Sequence, residues 1–214
     1  MAIAFDANHS GSQVTATSLT WSHTCSTGSD RLLVVGVYSI GDVISGVTYN
    51  GQSMTHINTI AMTGTAIGWY LRLYYILNQS SGTNNVVVSA SSSAALSGSS
   101  SSYTGVKQSS QPDASGGASL ANSKSLTMSV TTTANNCWLI GWVRGDECNA
   151  GAGTTLRGGP QGNLQLMDSN GAKTPAGSYS LSVGQSWNVY ISGSIASFAP
   201  AETANTSGFF QLFN

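Results

Sequence analysis

The sequence predicts an all-β chain folded as an antiparallel sandwich or barrel, on three observations. β-branched and aromatic residues alternate with polar ones at a period of two along the whole length. Gly, Ser and Asn punctuate these runs at short intervals, twice as the hairpin-favouring pairs Asn50-Gly51 and Asn170-Gly171. No segment carries the i, i+3, i+4, i+7 apolar spacing of a helix that packs on a core.

Taken in order, "QVTATSLTWS" alternates Val14, Ala16, Ser18 and Thr20 against Thr15, Thr17, Leu19 and Trp21. "RLLVVGVYS" is a continuous apolar run of strand length, which predicts a central strand covered on both faces. "VISGVTYNGQSMTHI" places Asn50-Gly51 between two β-rich runs and predicts a hairpin. In "IGWYLRLYYIL", Ile67 to Leu77, the face of Trp69, Leu71, Leu73 and Tyr75 is expected to point inward. "NVVVSAS" follows, and further downstream come "SLTMSVTTT", "NCWLIGWVR", "GNLQLMD", "GSYSLSV" and "SWNVYISGSIASFA", each strand-like.

Between these groups lies "SASSSAALSGSSSSYTGV", Ser89 to Val106. As a linker it would divide the chain into two small domains; as a strand it would need close neighbours, because its side chains are small on both faces. Leu96, Tyr103 and Val106 recur within it as apolar anchors and favour the strand. The chain is therefore expected to form one domain over 1–214.

Charged residues are only 7% of the chain and hydrophobic ones 40%. A typical soluble domain is about a quarter charged, so the polar surface here is made of Ser, Thr, Asn, Gln and Gly. A net charge of −1 removes the clustered Lys and Arg that nucleic acid or an anionic membrane would require. A surface with so little repulsion is poorly guarded against self-association. The N-terminus "MAIAFDANHSGSQ" shows no basic segment followed by an apolar run, so no signal peptide is visible, and no run is long enough to span a membrane.

The order "DRLLVVGVYS", "VISGVTYNGQSM", "LYYILNQSSGTNNVVVS" and "SSYTGVKQSSQPDA", Asp30 to Ala114, resembles a widespread group of uncharacterised bacterial and phage β-sandwich modules of phage structural and cell-surface proteins. The chain departs from that pattern at Gln79, where the group has Pro, and at Lys107, where it has Asp. The resemblance implies a jelly-roll-like, antiparallel two-sheet β-sandwich and no particular activity, since one fold hosts many functions.

Candidate chemistry is sparse. The eight acids are Asp6, Asp30, Asp42, Asp113, Asp146, Glu147, Asp168 and Glu202. They show no pairing that identifies a glycosidase, and Asp146 and Glu147, being adjacent, would face opposite ways in a strand. His9, His23 and His56 lack the spacing of a zinc site, and "DSNG", Asp168 to Gly171, lacks the acids of a calcium loop. No cofactor is expected. Cys25, Cys137 and Cys148 are read as small buried hydrophobes rather than a disulfide framework.

Two features suggest contacts with partners. "RGDEC" carries the adhesion tripeptide Arg144, Gly145 and Asp146, for which an exposed loop would be the right setting. "SGFFQLFN" carries Phe209, Phe210, Leu212 and Phe213, an apolar segment expected to form a last strand or to plug into a neighbouring subunit. Trp69, Tyr70, Tyr74, Tyr75, Trp138, Trp142 and Trp187 are expected mainly in the core, or else as a sugar-stacking platform.

The function expected first is a non-enzymatic structural protein of a phage virion, a capsid decoration or tail-associated sandwich that packs against copies of itself or other virion proteins. Behind it stand a carbohydrate-binding or lectin-like module at the cell surface, whose partners would be glycans, and a hydrolase with an unseen carboxylate pair.

Overall fold

A computed structural model describes residues 1–202, so the segment of Phe209, Phe210, Leu212 and Phe213 lies outside the described residues. The fold is an all-β, antiparallel two-sheet sandwich. The first sheet contains β1 (Ala4–Cys25), β2 (Leu32–Ile40), β3 (Ile44–Tyr49), β4 (Gln52–Ser53), β5 (Thr55–Ala61), β6 (Trp69–Leu77) and β7 (Gly82–Thr104). The second contains β8 (Ala114–Thr131), β9 (Trp138–Arg144), β10 (Asn149–Ala150), β11 (Thr155–Gln161), β12 (Leu164–Asp168) and β13 (Ser178–Phe198). The chain thus completes one sheet before it begins the other.

The two sheets are built on one plan. The first runs β4-β3-β7-β2-β6-β5 with β1 on β7; the second runs β10-β13-β9-β12-β11 with β8 on β13. The registers match as well as the order. Leu32 faces Tyr103 in the first sheet as Trp138 faces Phe198 in the second. Thr55 faces Tyr75 as Thr155 faces Asp168, and each pair is followed by a break in register, between His56 and Asn58 and between Leu156 and Gly158. Asp30 and Asn136, two residues before each central strand, both take left-handed backbone angles, φ 53° and 61°. Once the register is known, "LSGSSSSY" of β7 aligns with "ISGSIASF" of β13.

Three cores follow from this plan. The central one lies between the sheets, where Leu32, Val34 and Tyr38 of β2 meet Ile140 and Trp142 of β9. The other two lie inside the fold of each sheet. β1 and β7 run past β2, and their far halves carry Leu19, Trp21, Val86 and Val88 over the opposite face of β2, with Leu33, Val35 and Val37. In the same way Leu126, Met128, Leu181 and Val183 cover Leu139 and Val143 of β9. Period-two alternation supplies both faces of each central strand, so the continuous apolar run of β2 is buried on both sides as expected. The Trp69, Leu71, Leu73 and Tyr75 face of β6 points into the central core as predicted.

The serine stretch is part of one 23-residue strand, longer than the separate small-residue strand expected from the sequence. Ser97, Ser99, Ser100, Ser101 and Ser102 are fully buried. They are buried because β1 lies along them and satisfies most of their hydroxyls. Asn8 Nδ2 donates to Ser99 Oγ, Ser100 O and Ser101 Oγ at 3.0 to 3.2 Å. Trp21 Nε1 donates to Ser100 Oγ at 2.9 Å, and Ser102 Oγ donates to Asp6 at 2.7 Å. Small side chains let Trp21 approach the strand: a Cβ at Gly98 would stand 2.6 Å from the indole.

The Asn50-Gly51 hairpin forms as predicted, with positive φ at both residues (50° and 75°) and Tyr49 opposite Gln52. Asn170-Gly171 also turns the chain, but not as a two-residue hairpin, since β13 begins only at Ser178. The turn is set by Asp168, whose carboxylate accepts from the Asn170 amide at 2.9 Å.

Candidate functional site

The carboxylates serve mainly as joints between strands. Asp168 is fully buried and accepts from Arg157 Nε and Nη2 at 2.7 and 2.9 Å and from the Tyr103 hydroxyl at 3.0 Å. Arg157 also lies over the Phe5 ring at 4.0 Å, so this group ties the second half to the first. Burial, then the facing Asp168 charge, holds the Tyr103 hydroxyl well above its ordinary pKa. Asp113 accepts from the Thr133 and Ala134 amides at 2.9 and 3.2 Å and from Ser197 Oγ at 3.1 Å. Burial works against its charge, but the hydrogen bonds from Thr133 and Ser197 prevail and hold its carboxyl below the usual range. Asp42 pairs with Arg72, and Glu202 with Lys107 at 3.2 Å.

His9 and His23 stack edge to face at 4.8 Å on β1. His23 Nδ1 lies 2.8 Å from Ser100 Oγ, a distance at which an imidazole can activate a serine. His23 and Ser100 are both fully buried, however, which bars a substrate from them. Burial first, and the neighbouring His9 second, push His23 down to about 3, so it is neutral at physiological pH. His56 is exposed on β5 and contacts Thr59 and Tyr74. Among the described residues no group of three or more His, Cys, Asp or Glu could hold a metal ion. Cys25, Cys137 and Cys148 are all free and buried.

The tripeptide Arg144, Gly145 and Asp146 does not form the exposed loop expected of it. β9 continues through Arg144, which pairs with Leu164 and Ser192 on its two sides and is only 8% exposed. Its guanidinium lies over the rings of Tyr38 and Trp69, at 4.5 and 4.9 Å. Gly145 is buried, and the Asp146 amide is held by Gln185 Oε1 at 2.7 Å. Only Asp146 and Glu147 keep solvent access at this turn, and an integrin-like receptor would need the arginine as well.

The aromatic residues mostly build the cores. Trp142 is fully buried, Trp138 and Tyr74 nearly so, and Trp69 and Tyr75 are half-buried around the central core. Trp187, 67% exposed on the irregular stretch of β13 between Gly184 and Val189, stands apart.

The best-formed cavity, about 660 Å³, opens at the end of the sandwich where the two halves are joined. Met1, Ile3, Ala134, Trp138, Ala172 and Pro200 give it an apolar lining, and Lys107, Glu202, Asn135 and Asn136 add polar groups. Its frame is a short ladder across the two halves: Val106 bridges Pro200, Lys107 N donates to Ala199 O, and Ala201 N donates to Gly105 O. The Met1 amine adds a bond to Ala201 O at 2.7 Å. Ile3 and Trp138 also belong to the central core, so this cleft is the open end of that core. Sequence reasoning missed it because its lining comes from five separate, weakly patterned segments.

No family model matches the chain, and no curated protein or solved structure shows significant similarity to it.

Proposed function

We propose that the chain is a non-enzymatic structural protein of a phage particle, a capsid-decoration or tail-associated sandwich that works by packing against copies of itself and other particle proteins. One observation carries this reading: the long edge strands carry only two Asp, Glu, Lys or Arg side chains, Asp6 in β1 and Lys124 in β8, and have a second edge outside the described ladders. Among the described residues β1 pairs with β7 alone and β8 with β13 alone, which leaves the second edge of each outside any described ladder. The faces beside those edges are rows of hydroxyls. Thr127, Ser129 and Thr131 face Ser182, Ser180 and Ser178, and on the other half Thr24 faces Thr83 and Ser18 faces Ser89. Edge strands that stay single usually carry Lys, Pro or a bulge against pairing. β1 has neither Lys nor Pro, and its breaks in register all lie before Ser18, so the run from there to Cys25 is regular. Such edges and faces suit stable apposition to another protein. The use of Asp113 and Asp168 as strand joints supports a structural role for the acids as well.

Light scattering across a concentration series, followed by electron microscopy of the concentrated protein, tests the proposal. Concentration-dependent, regular assemblies are expected. A monomer at every concentration that hydrolyses or binds a polysaccharide would overturn it. The exposed Trp187 makes glycan binding the second reading. A glycan array that loses its signal in Trp187→Ala would establish that function instead.

A further inference from the structure

We infer that the cleft at the joined end of the sandwich receives the segment Ser207–Asn214 of a second copy, so that two copies are linked by exchanged aromatic tails. The inference rests on the assembly reading above and names the contact that assembly would use.

Chemistry matches cleft to tail. The cleft is the open end of the central core, with Ile3 and Trp138 at its floor and Ala134, Ala172 and Pro200 in its wall. The segment "SGFFQLFN" contains no charged side chain and holds Phe209, Phe210 and Phe213, three of the five Phe in the chain. Aromatic side chains placed there would extend a dry core that is already formed. A glycan fits less well, because Trp138 is only 7% exposed and lies against Tyr103 at 5.9 Å, so it offers no free ring face.

Position matches too. Glu202 lines the cleft, held by Lys107 on the opposite half, so the tail is rooted at the rim of the cavity it would fill. Residues 203–208 separate Glu202 from Phe209 and span at most about 20 Å when extended. A root and a receptor at one place allow a two-fold axis to satisfy both copies at once. The result is a closed pair rather than an open filament.

Four proteins test this by light scattering: the full chain, a chain lacking Ser207–Asn214, the cleft-filling variant Ala172→Trp, and Phe209→Ser/Phe210→Ser. Ala172 is exposed, and each variant's far-ultraviolet spectrum is compared with that of the parent so that loss of pairing is read only from folded protein. The full chain should pair, and each variant should need at least about tenfold more protein to do so, the loss expected for a buried aromatic anchor. A mixture of the tail-less chain and Ala172→Trp should recover a one-to-one pair, because one supplies the cleft and the other the tail. Labelled SGFFQLFN peptide should bind the tail-less chain and not its Ala172→Trp form.

Three outcomes would overturn the inference. A monomeric full chain, with peptide binding only to the tail-less form, would place the tail in its own cleft. Assembly unchanged in all variants would remove the tail link and leave the assembly reading intact. Monomers throughout, with no peptide binding, would remove both.

Discussion

The indole of Trp142 occupies the space that a side chain at Gly36 would need: a Cβ there would stand 2.3 Å from Trp142 Cδ2. The two residues hold equivalent places in the two halves, four residues after Leu32 and Trp138 on the facing central strands. The sheets therefore meet as unlike partners, one giving bulk where the other gives none. Gly36→Ala should destabilise the protein by about 2 kcal/mol through overpacking. Trp142→Phe introduced together with Gly36→Ala should return part of that loss, and equal, additive losses in a denaturant double-mutant cycle would refute the coupling.

Acid should loosen the first half before the second. His23 titrates near 6.5 when unfolded but at about 3 in the fold, so below pH 6.5 the unfolded chain binds the extra proton and gains. The stability from keeping His23 neutral is complete above pH 6.5. It falls by about 1.4 kcal/mol per pH unit down to about pH 3, a total on the order of 5 kcal/mol. His23→Gln should flatten this slope in urea titrations between pH 7 and pH 4, and an unchanged slope would assign the acid sensitivity elsewhere.

Asp168→Asn keeps the shape of the joint but leaves Arg157, whose side chain is only 14% exposed, without its charge partner. A loss of about 3 kcal/mol is expected, as for other broken buried pairs. Thermal unfolding would show it as a fall of roughly 6 to 12 °C for a domain of this size. A change within 2 °C, by the same roughly 2–4 °C per kcal/mol scaling, would mean that the joint contributes little.

The thiols should be silent in the folded protein. Burial, and for Cys137 also the Asp113 charge, pushes Cys137 up to about 12 and Cys148 up to about 11, and burial raises Cys25 as well. A thiol-reactive disulfide reagent at pH 8 should therefore label none of the three free cysteines until denaturant is added, and then all of them. Rapid labelling of the native chain would contradict their burial.

The strands were legible because alternation and hairpin pairs are local signals. The inward face of Trp69 follows from period, and the two-sided burial of Leu32 to Ser39 from an unbroken apolar run of strand length. The doubling of the plan was not legible, although "LSGSSSSY" and "ISGSIASF" carry it, because Ser and Gly are frequent enough in this chain to hide a match of that length. Arg144 misled for a different reason. Its neighbours look like a turn, and only the pairing of β9 with β12 and β13 shows that the arginine is still inside the sheet. The cleft, assembled from distant segments, has no signal within any one of them.

The Met1 amine touches the Ala201 carbonyl, and a single stretch, from Thr104 to Ala114, carries the chain from one half to the other. A gene rearranged so that Glu202 runs on into Met1, and opened within 108–112, would read the halves in reverse and still place every strand beside its present neighbour. The sandwich specifies who stands next to whom, and is indifferent to which half the ribosome makes first.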